Sequence, residues 1–554
     1  MNFLRKLQPT DKVLILGEGN FSFATSLLQS LSDHSNDCDI ASIVATCLEP
    51  FSEEFSVEKK RNIAYLKKKG VTVLFGVDVN HLEQHFTKGT NVFTKVIFNF
   101  PHVGGKMKIH LNRVLLSQIF KNVSDYVSHE SNVCITLCDG QGGTGADSKL
   151  RRYDDSWQVV EMAAMSNFAL KAIEPFPVEI FPNYRPVGYR GYDKGFCIDN
   201  SLLHIFQRTS PLRTFYTDSD LLNLFTVGKI HTNYGVITCI KLHSYLYSLN
   251  LFAKSNSAFH FIFQKLKQVL KQQSVHRKIF MPEAFWPIHK EYLQGMPSFL
   301  NGRKVKLCSS LSEMLESAAT NLTLTNFENT LTVVKSCCFK ELSQDLESSP
   351  TEGQIMILGC DCFKYTMDFL ESLKRLFKYD LEVAANDQHF KRVYLVPESS
   401  PKVLVAEFSF LSLQAEQSLP FCTIFCDSMA KCIFKINHWQ EIWSENTSVV
   451  PETSTMLLAS LYPSTFKFDV NFLVTPDFRL SKFYELMWNF TLIAVINVEL
   501  ISKYIPANDN SKTYLCFRVY YKSFIHPFCR TIALEFHQNV VSKGIQVVLN
   551  APIC

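Results

Sequence analysis

The sequence lacks long apolar runs and any strong excess of one charge. No uninterrupted apolar stretch reaches the ~20 residues of a membrane-spanning helix, and no apolar leader precedes the first predicted strand. The 56 Lys and Arg residues nearly balance the 52 Asp and Glu residues, leaving a net charge of +4. So small a charge neither requires nor excludes a nucleic-acid partner. We therefore expect a soluble intracellular protein of the cytoplasm, nucleus or nucleolus, without a membrane partner.

The 17 cysteines lack the spacing of a disulfide framework or a zinc site. They are single residues or short sets such as Cys337-Cys338 and Cys360-Asp361-Cys362, without a Cys-x-x-Cys pair. We therefore predict free thiols in a reducing compartment and no bound metal. Gly359-Cys360-Asp361-Cys362 is typical of a turn at the end of a strand.

Short apolar runs alternate with helical stretches over the first two hundred residues. The apolar runs predict strands at 13–16, 40–47, 71–77, 95–100, 133–137, 169–176 and 201–206. The stretches between them predict helices at 21–31, 52–69, 110–126 and 157–167. Alternation of this kind indicates an α/β domain, with a parallel sheet covered on both faces, over residues 10–208.

Residues 209–445 mix both kinds of pattern and leave the fold of this middle region unassigned. Helices are predicted at 259–272 and 365–378, and strands at 354–358, 393–396 and 403–408. A polar, turn-rich stretch at 444–454 indicates a linker.

The last hundred residues, 460–554, predict a separate small domain. Apolar residues recur at strict period two over 466–474, which is typical of a half-buried strand. A helix at 481–490, strands at 494–504 and 513–521, a helix at 531–543 and a strand at 545–549 follow. This βαββαβ order is that of a ferredoxin-like α+β domain.

Three successive predicted strands of the first domain end in residues suited to a nucleoside cofactor. The first strand runs into Gly17-Glu18-Gly19-Asn20-Phe21-Ser22, where glycines let the backbone approach a ligand and leave helix N–H groups available. Alone, such a turn is weak evidence, because tight turns also use glycine for structural reasons. The second and third strands end near Glu49, placed for ribose hydroxyls, and at Asp78, placed for an adenine amino group.

The fourth strand ends in the run Asn99-Phe100-Pro101-His102-Val103-Gly104-Gly105. An amide, an aromatic ring, a proline and a histidine can form a rigid wall that stacks a flipped base and hydrogen-bonds its edge. For His102, a role as an ordinary loop or capping histidine is an equally good interpretation of these residues alone.

Together these segments resemble one family, the fungal-type ribosomal RNA uridine-N3 methyltransferases and their eukaryotic relatives. The resemblance rests on the glycine turn, on Phe75-Gly76-Val77-Asp78 and on the run from Asn99. Thr136-Leu137-Cys138-Asp139-Gly140 and Tyr189-Arg190-Gly191-Tyr192 occupy the places of related segments. It implies a Rossmann-like class I methyltransferase domain that binds S-adenosyl-L-methionine.

The resemblance also implies methyl transfer to N3 of a uridine in ribosomal RNA or tRNA. We take Asn99 and the Pro101 carbonyl as groups that orient the base, and His102 or Asp139 as the general base. Cys138 and the long polar segment 141–156 depart from the family. They favour an alternative, an RNA-binding protein with a methyltransferase fold that has lost turnover.

The C-terminal domain resembles the ferredoxin-fold anticodon-binding domain of phenylalanyl-tRNA synthetases. The similarity rests on the strand order, on Tyr462-Pro463 and on Arg518-Val519-Tyr520-Tyr521-Lys522-Ser523. Its nine Lys and Arg residues against six Asp and Glu residues suit a phosphate backbone, although a protein-interaction module is an alternative. The basic run Lys59-Lys60-Arg61 is predicted to lie on the solvated face of its helix.

Overall fold

The computed structural model describes most of the two ends of the chain and shorter segments between them. The described residues are 3–5, 7–32, 42–104, 108–149, 151–187, 198–224, 258–273, 278–280, 284–287, 305–308, 313, 315–316, 330–337, 353–377, 379–385, 390–397, 401–412, 418–434, 460–490, 493–523 and 526–554.

Seven strands from the first part of the chain form one sheet. They are β1 (Lys12–Leu16), β2 (Ser42–Thr46), β3 (Thr72–Leu74), β4 (Phe93–Asn99), β5 (Val127–Leu137), β6 (Phe168–Pro175) and β7 (Leu202–Arg208). The order across the sheet is β3-β2-β1-β4-β5-β7-β6. The first five strands pair in parallel, whereas β7 is antiparallel to β5 and β6. The Rossmann-like α/β fold predicted for this part of the chain is confirmed.

The helices of this part are α1 (Ser22–Ser32), α2 (Val57–Lys68), α3 (Ile109–Val123) and α4 (Val159–Ala164). The central strand β1 is buried on both faces, because Leu14 and Leu16 belong to one apolar core and Val13 and Ile15 to another. Helix α2 begins five residues later than predicted, where the Ser56 side chain accepts a hydrogen bond from the Lys59 N–H at 3.2 Å. Such a cap fixes the start of a helix.

The middle of the chain contains a second, larger sheet. Its strands are β8 (Lys278–Phe280), β9 (Ala284–Pro287), β10 (Val305–Cys308), β11 (Thr330–Cys337), β12 (Gly353–Leu358), β13 (Asp380–Ala385), β14 (Lys391–Val396), β15 (Val403–Ser412) and β16 (Ser418–Phe425). Their order is β10-β9-β11-β12-β16-β15-β14-β13, and β8 pairs with β11.

The helices of this part are α5 (Asp218–Leu224), α6 (Ala258–Gln273), α7 (Cys362–Phe377) and α8 (Cys426–Phe434). The two helices and three strands predicted here are confirmed, as is the turn at 359–362 between β12 and α7. The linker predicted at 444–454 lies outside the described residues.

The C-terminal part contains β17 (Phe466–Leu473), α9 (Leu480–Phe490), β18 (Val495–Tyr504), β19 (Tyr514–Tyr521), α10 (Arg530–Phe536) and α11 (Lys543–Leu549). The strand order β17-β19-β18 is consistent with the predicted ferredoxin-like fold.

The strand predicted at 545–549 is wrong, because these residues form helix α11. Ile545 and Leu549, four residues apart, are buried on one side of the helix, and Gly544 approaches Phe490 of α9. Packing of this helical stripe overrides the strand preference of a β-branched run. The edge position beside β17 is taken by the chain end, where Ile553 bridges Phe472.

The chain divides into two compact units. The first comprises Met1–Phe215, Glu452–Phe466 and Lys522–Gln538, and the second comprises Tyr216–Pro451, Lys467–Tyr521 and Asn539–Cys554. Within the first unit, the Leu461 N–H donates to the Leu170 carbonyl of β6 at 2.9 Å, and the Leu461 side chain joins a core of the seven-stranded sheet. The domain limits proposed from sequence stay predictions.

Two kinds of feature are absent from the described part of the chain. There, no helix is long and apolar enough to cross a membrane. Nor do any three His, Cys, Asp or Glu side chains in that part lie close enough together to hold a metal ion.

Candidate functional site

A cavity of about 960 Å³ lies where the parallel strands of the seven-stranded sheet end. Carboxyl-end crevices of this kind are where open α/β sheets bind ligands. Nine of the residues predicted for the site line this cavity: Gly17, Glu18, Gly19, Asn20, Glu49, Asp78, Asn99, Pro101 and His102. Four different strand ends therefore contribute to one site.

The glycine turn after β1 leaves no room for side chains. Gly17 has a φ of +68°, and a Cβ there would lie 2.3 Å from Cε2 of Phe98. A Cβ at Gly19 would lie 2.1 Å from Cγ2 of Val187. The bare backbone at these two positions forms part of the cavity wall.

The segment 184–187 packs against the glycine turn and lines the same cavity. The Ser22 hydroxyl donates to the Arg185 carbonyl at 3.2 Å and accepts from the Arg185 N–H at 3.0 Å. The Asn20 amide also donates to this carbonyl at 3.3 Å. Ser22 therefore supports the cavity wall without lining it. Phe21 likewise does not line the cavity, and its ring packs on that of Phe75.

Glu18 is an almost fully buried carboxyl group in the cavity wall. It is 7% exposed and accepts a hydrogen bond from the Ala24 N–H in the first turn of α1 at 2.9 Å. Burial raises the pKa of Glu18 to about 7, although hydrogen bonds from the Ala24 and Phe23 N–H groups act in the opposite direction. The charge of the cavity wall therefore changes near neutral pH.

We expect binding of a cationic ligand in this cavity to strengthen as Glu18 ionises. S-adenosyl-L-methionine carries a positive charge on sulfur, which S-adenosylhomocysteine lacks. Between pH 6 and pH 8, the affinity for the first ligand should rise by about threefold to tenfold relative to the affinity for the second. Calorimetric titration of both ligands at several pH values measures this ratio. In Glu18→Gln the ratio should not change with pH. A wild-type ratio that is constant with pH would contradict the role given to Glu18.

The tips of β2 and β3 carry the two acidic residues of the cavity. The Glu49 carboxylate pairs with Lys59, whose Nζ lies 2.5 Å from Oε2. Oδ1 of Asp78 accepts from the backbone N–H and the side-chain amide of Asn80, at 2.9 Å and 3.0 Å. Both carboxylates are thus oriented by neighbours at the edge of the cavity.

Asn99 lies at the end of β4, and only the oxygen of its side-chain amide has a hydrogen-bond partner among the described residues. Its Oδ1 accepts from the Thr136 hydroxyl of β5 at 2.6 Å. Its Nδ2 is buried and has no hydrogen-bond partner among the described residues. A buried donor without a partner is costly in a folded protein, so such a group calls for an explanation such as an ordered water, local strain or a catalytic role. Asn99 therefore lines the cavity with an unpaired donor in its side chain.

His102 is held in a defined orientation. Its Nδ1 accepts the Gly104 N–H at 2.6 Å, so the neutral ring carries its proton on Nε2. The ring lies 5.7 Å from that of Trp157, and burial lowers the pKa of His102. A neutral imidazole with this tautomer donates a hydrogen bond through Nε2. Phe100, two residues before His102, has a φ of +52°, a strained conformation typical of functional loops.

Asp139 does not line the cavity. Its Oδ1 accepts the Ser148 N–H at 2.8 Å and the Lys149 N–H at 3.3 Å, and the Ser148 hydroxyl donates to Oδ2. These bonds fold the segment 141–156 back on the end of β5. We therefore assign Asp139 to the support of this loop, and of the two candidate bases only His102 lies at the cavity.

Three residues that the sequence did not single out hold the site together. The buried Asn62 of α2 donates to the Asn20 carbonyl at 2.9 Å. Asn112 of α3 accepts the Val103 N–H at 3.1 Å. Arg113 donates through Nη2 to the carbonyls of Ser156 and Asp154, at 2.7 Å for each. In the sequence, each could have been noticed as a polar residue among the apolar residues on the inward-facing side of a predicted helix.

Two predicted segments cannot be placed in this site. Gly105 and the run 189–192 lie outside the described residues.

The residues of the cavity fit an adenosyl cofactor. The bare glycine cradle accepts a ligand against the backbone, the two carboxylates match hydroxyl and amino donors, and Glu18 complements a positive charge. Asn99 lines the same cavity and is not needed for this set of contacts.

Comparison with known proteins supports this interpretation of the first part of the chain. Residues 14–188 match the family described as rRNA (uridine-N3-)-methyltransferase BTM5-like. The mouse ferredoxin-fold anticodon-binding domain-containing protein 1 homolog is 38% identical over 207 residues, 37% of this chain and 32% of that protein. The human protein of that name is 37% identical over 201 residues, 36% and 31% of the two chains. The match thus spans about a third of each relative.

Solved structures similar to part of the chain include the PH0226 protein of Pyrococcus horikoshii OT3. It is 17% identical and covers 37% of this chain and 85% of its own, with a TM-score of 0.23. TrmN from Thermus thermophilus is 13% identical over 37% and 46% of the two chains, also with a TM-score of 0.23. The resemblance of the N-terminal part to the ribosomal RNA uridine-N3 methyltransferase family is confirmed, and about a third of the chain is similar to the proteins named ferredoxin-fold anticodon-binding domain-containing protein 1.

Proposed function

We propose that the protein is an S-adenosyl-L-methionine-dependent RNA methyltransferase that acts on N3 of uridine. The observation that carries the proposal is the unpaired Nδ2 of Asn99, because Asn99 lines the same cavity as the glycine cradle and the two strand-tip carboxylates. A cofactor site alone fits many methyltransferases, whereas a buried donor beside it indicates a second, polar acceptor molecule.

The cofactor is assigned to the β1, β2 and β3 ends of the cavity. In this assignment Glu49 accepts hydrogen bonds from the ribose hydroxyls, and Asp78 accepts one from the adenine amino group. The turn from Gly17 to Gly19 lies against the rest of the cofactor. The bound cofactor supplies an electrophilic methyl group. The protein contributes by holding the nucleophilic nitrogen in line with that group, which is worth several kcal/mol of the barrier.

The base is assigned to the wall made by Asn99, Pro101 and His102. Asn99, Pro101 and His102 line the same cavity. We assign Nδ2 of Asn99 and Nε2 of His102 as donors to the two carbonyl oxygens of the base, with the Pro101 carbonyl orienting the ring and N3 left open to the methyl group. The reactive edge of uracil has the complementary pattern, with the N3–H between two carbonyl oxygens. Cytosine presents an amino donor in place of one oxygen and leaves a buried donor unpaired, which costs about 1–3 kcal/mol.

The N3 proton has to leave for the methyl group to bond to nitrogen. The negative charge then spreads onto both carbonyl oxygens of the ring, where Asn99 and His102 donate. Donors directed at developing charge are a strong source of catalysis. Since Nδ1 of His102 is occupied and its Nε2 carries the proton, His102 stabilises the anion and the proton passes to water.

The C-terminal domain is proposed to bind the RNA that carries the target. Its mild positive bias suits a phosphate backbone, and the relatives' name refers to anticodon binding. Ribosomal RNA and tRNA are the two candidate substrates.

The full chain should incorporate labelled methyl groups into ribosomal RNA or tRNA, with N3-methyluridine as the product detected by mass spectrometry. Below the pKa of the uridine N3–H, the logarithm of the single-turnover rate should rise with pH at a slope near one. A rate that becomes independent of pH in the wild type, but not in His102→Asn, would instead identify His102 as the base. Cofactor binding without methylation of any cellular RNA would favour the alternative, an RNA-binding protein without turnover.

A further inference from the structure

Lys59 is buried, whereas the sequence analysis placed it on the solvated face of its helix. Its side chain is 1% exposed, while its neighbours Lys60 and Arg61 are exposed. The prediction of a solvated basic run is therefore wrong at this one position. Lys59 lies on the buried side of α2 with Asn62 and Leu66, spaced as one face of a helix.

The Lys59 ammonium group has three kinds of neighbour. Its Nζ lies 2.5 Å from Oε2 of Glu49 and 4.0 Å from Sγ of Cys47. The Phe55 ring is centred 4.0 Å from the same atom, at the distance of a strong cation–π contact. Phe55 is in turn stacked on Phe75, with ring centres 5.7 Å apart. Lys59 is thus enclosed by aromatic rings and paired with one carboxylate.

The buried Lys59 ammonium group holds the Glu49 carboxylate in place. Burial of an ammonium group costs several kcal/mol unless a charged partner compensates it, so Lys59 strongly favours contact with Glu49. The Glu49 side chain is 60% exposed and lines the cavity. An exposed glutamate normally loses side-chain entropy when it binds a ligand. With Oε2 held by a rigid partner, much of that entropy is lost before the ligand arrives.

We propose that Lys59 is a positioning residue that fixes the Glu49 carboxylate for the ribose hydroxyls of the cofactor. This proposal rests on the cofactor site of the proposed function. Lys59 acts through Glu49 and does not itself contact the ligand. Its contribution should therefore appear in recognition of the ribose and should be absent when either Glu49 or the hydroxyls are removed.

The test compares two ligands, S-adenosylhomocysteine and its 2′,3′-dideoxy analogue, by calorimetry on the full chain. Hydrogen bonds to a charged group contribute about 1.5–3 kcal/mol, so the wild type should prefer the hydroxylated ligand by about tenfold or more. In Lys59→Met that preference should fall to about twofold, with affinity for the dideoxy ligand nearly unchanged. Lys60→Met, one residue away on the exposed side of α2, should retain the wild-type preference.

Glu49→Gln and the double variant Glu49→Gln/Lys59→Met complete a cycle. If Lys59 acts through Glu49, adding Lys59→Met to Glu49→Gln should not change the ribose preference further. The double variant removes both charges together. If Lys59→Met alone does not fold, the ribose preference of the double variant is compared with that of Glu49→Gln instead.

Two results would overturn the proposal in distinguishable ways. Equal loss of affinity for both ligands in Lys59→Met would show that Lys59 only supports the domain, with the cofactor site intact. A folded wild type that binds neither ligand would overturn the cofactor assignment and this proposal with it.

Discussion

Replacement of Gly17 by alanine is expected to abolish binding of S-adenosylhomocysteine. At φ +68° the new side chain adds about 1–2 kcal/mol of backbone strain, and its Cβ lies 2.3 Å from Cε2 and 2.7 Å from Cζ of Phe98. The Phe98 ring lines the cavity and cannot stay in place, so the ligand space itself is altered. We expect a loss of affinity of at least about 100-fold, measured by calorimetry.

Gly70 provides a matched control for backbone strain. It also has a positive φ, +80°, but a Cβ there meets nothing within 4 Å. Gly70→Ala should lower the melting temperature by a few degrees, about what 1 kcal/mol produces, and leave ligand affinity unchanged. Similar binding losses in both variants would show that strain, and not the Phe98 contact, explains the effect of Gly17→Ala.

The second large effect is expected at Asn99. In Asn99→Asp, the Thr136 hydroxyl still has an oxygen to donate to, but the Nδ2 donor is replaced by an acceptor. A carboxylate facing a uracil oxygen repels the charge that develops there. We expect a decrease in the single-turnover methylation rate of about 100-fold to 1,000-fold, typical of the loss of one donor to a developing anion, while binding of S-adenosylhomocysteine is retained.

Thr136→Val is the control for this prediction. It removes the hydroxyl that holds Oδ1 of Asn99 at 2.6 Å and leaves the Nδ2 donor in place. The rate should fall by about tenfold or less. Asn99→Asp with near wild-type activity would remove Asn99 from the base site, whatever its effect on the cofactor.

The strand ends of the first domain were predictable, because each combines a buried apolar run with a polar or glycine-rich terminus. Parallel strands bring such termini to one edge of a sheet, so Gly17, Glu49, Asp78 and Asn99 could be grouped before any distance was known. The partners of these residues could not be predicted. Whether Lys59 or Lys60 points inward depends on the rotation of α2 about its own axis, which a run of three basic residues leaves undefined.

The strand predicted near the C-terminus shows a second limit of prediction from local sequence. The run Ile545 to Leu549 is apolar and β-branched, and locally it favours a strand. In the structure it is a helix that buries Ile545 and Leu549 on one face. Gly544 lies against Phe490 of α9, about sixty residues earlier in the chain. Asp139 is a similar case, since its position after β5 suggested catalysis, whereas the loop that follows occupies both of its oxygens.

The bond between Leu461 and β6 has a practical consequence for isolated fragments. Strand β6 forms one end of the seven-stranded sheet, and Leu461 satisfies one of its outward carbonyls and covers part of the adjoining core. A fragment ending near residue 215 would leave an uncovered strand edge, which is a common starting point for aggregation. Poor solubility of such a fragment would therefore say little about the methyltransferase fold, and fragments meant to retain that fold need the short segment around Leu461 as well.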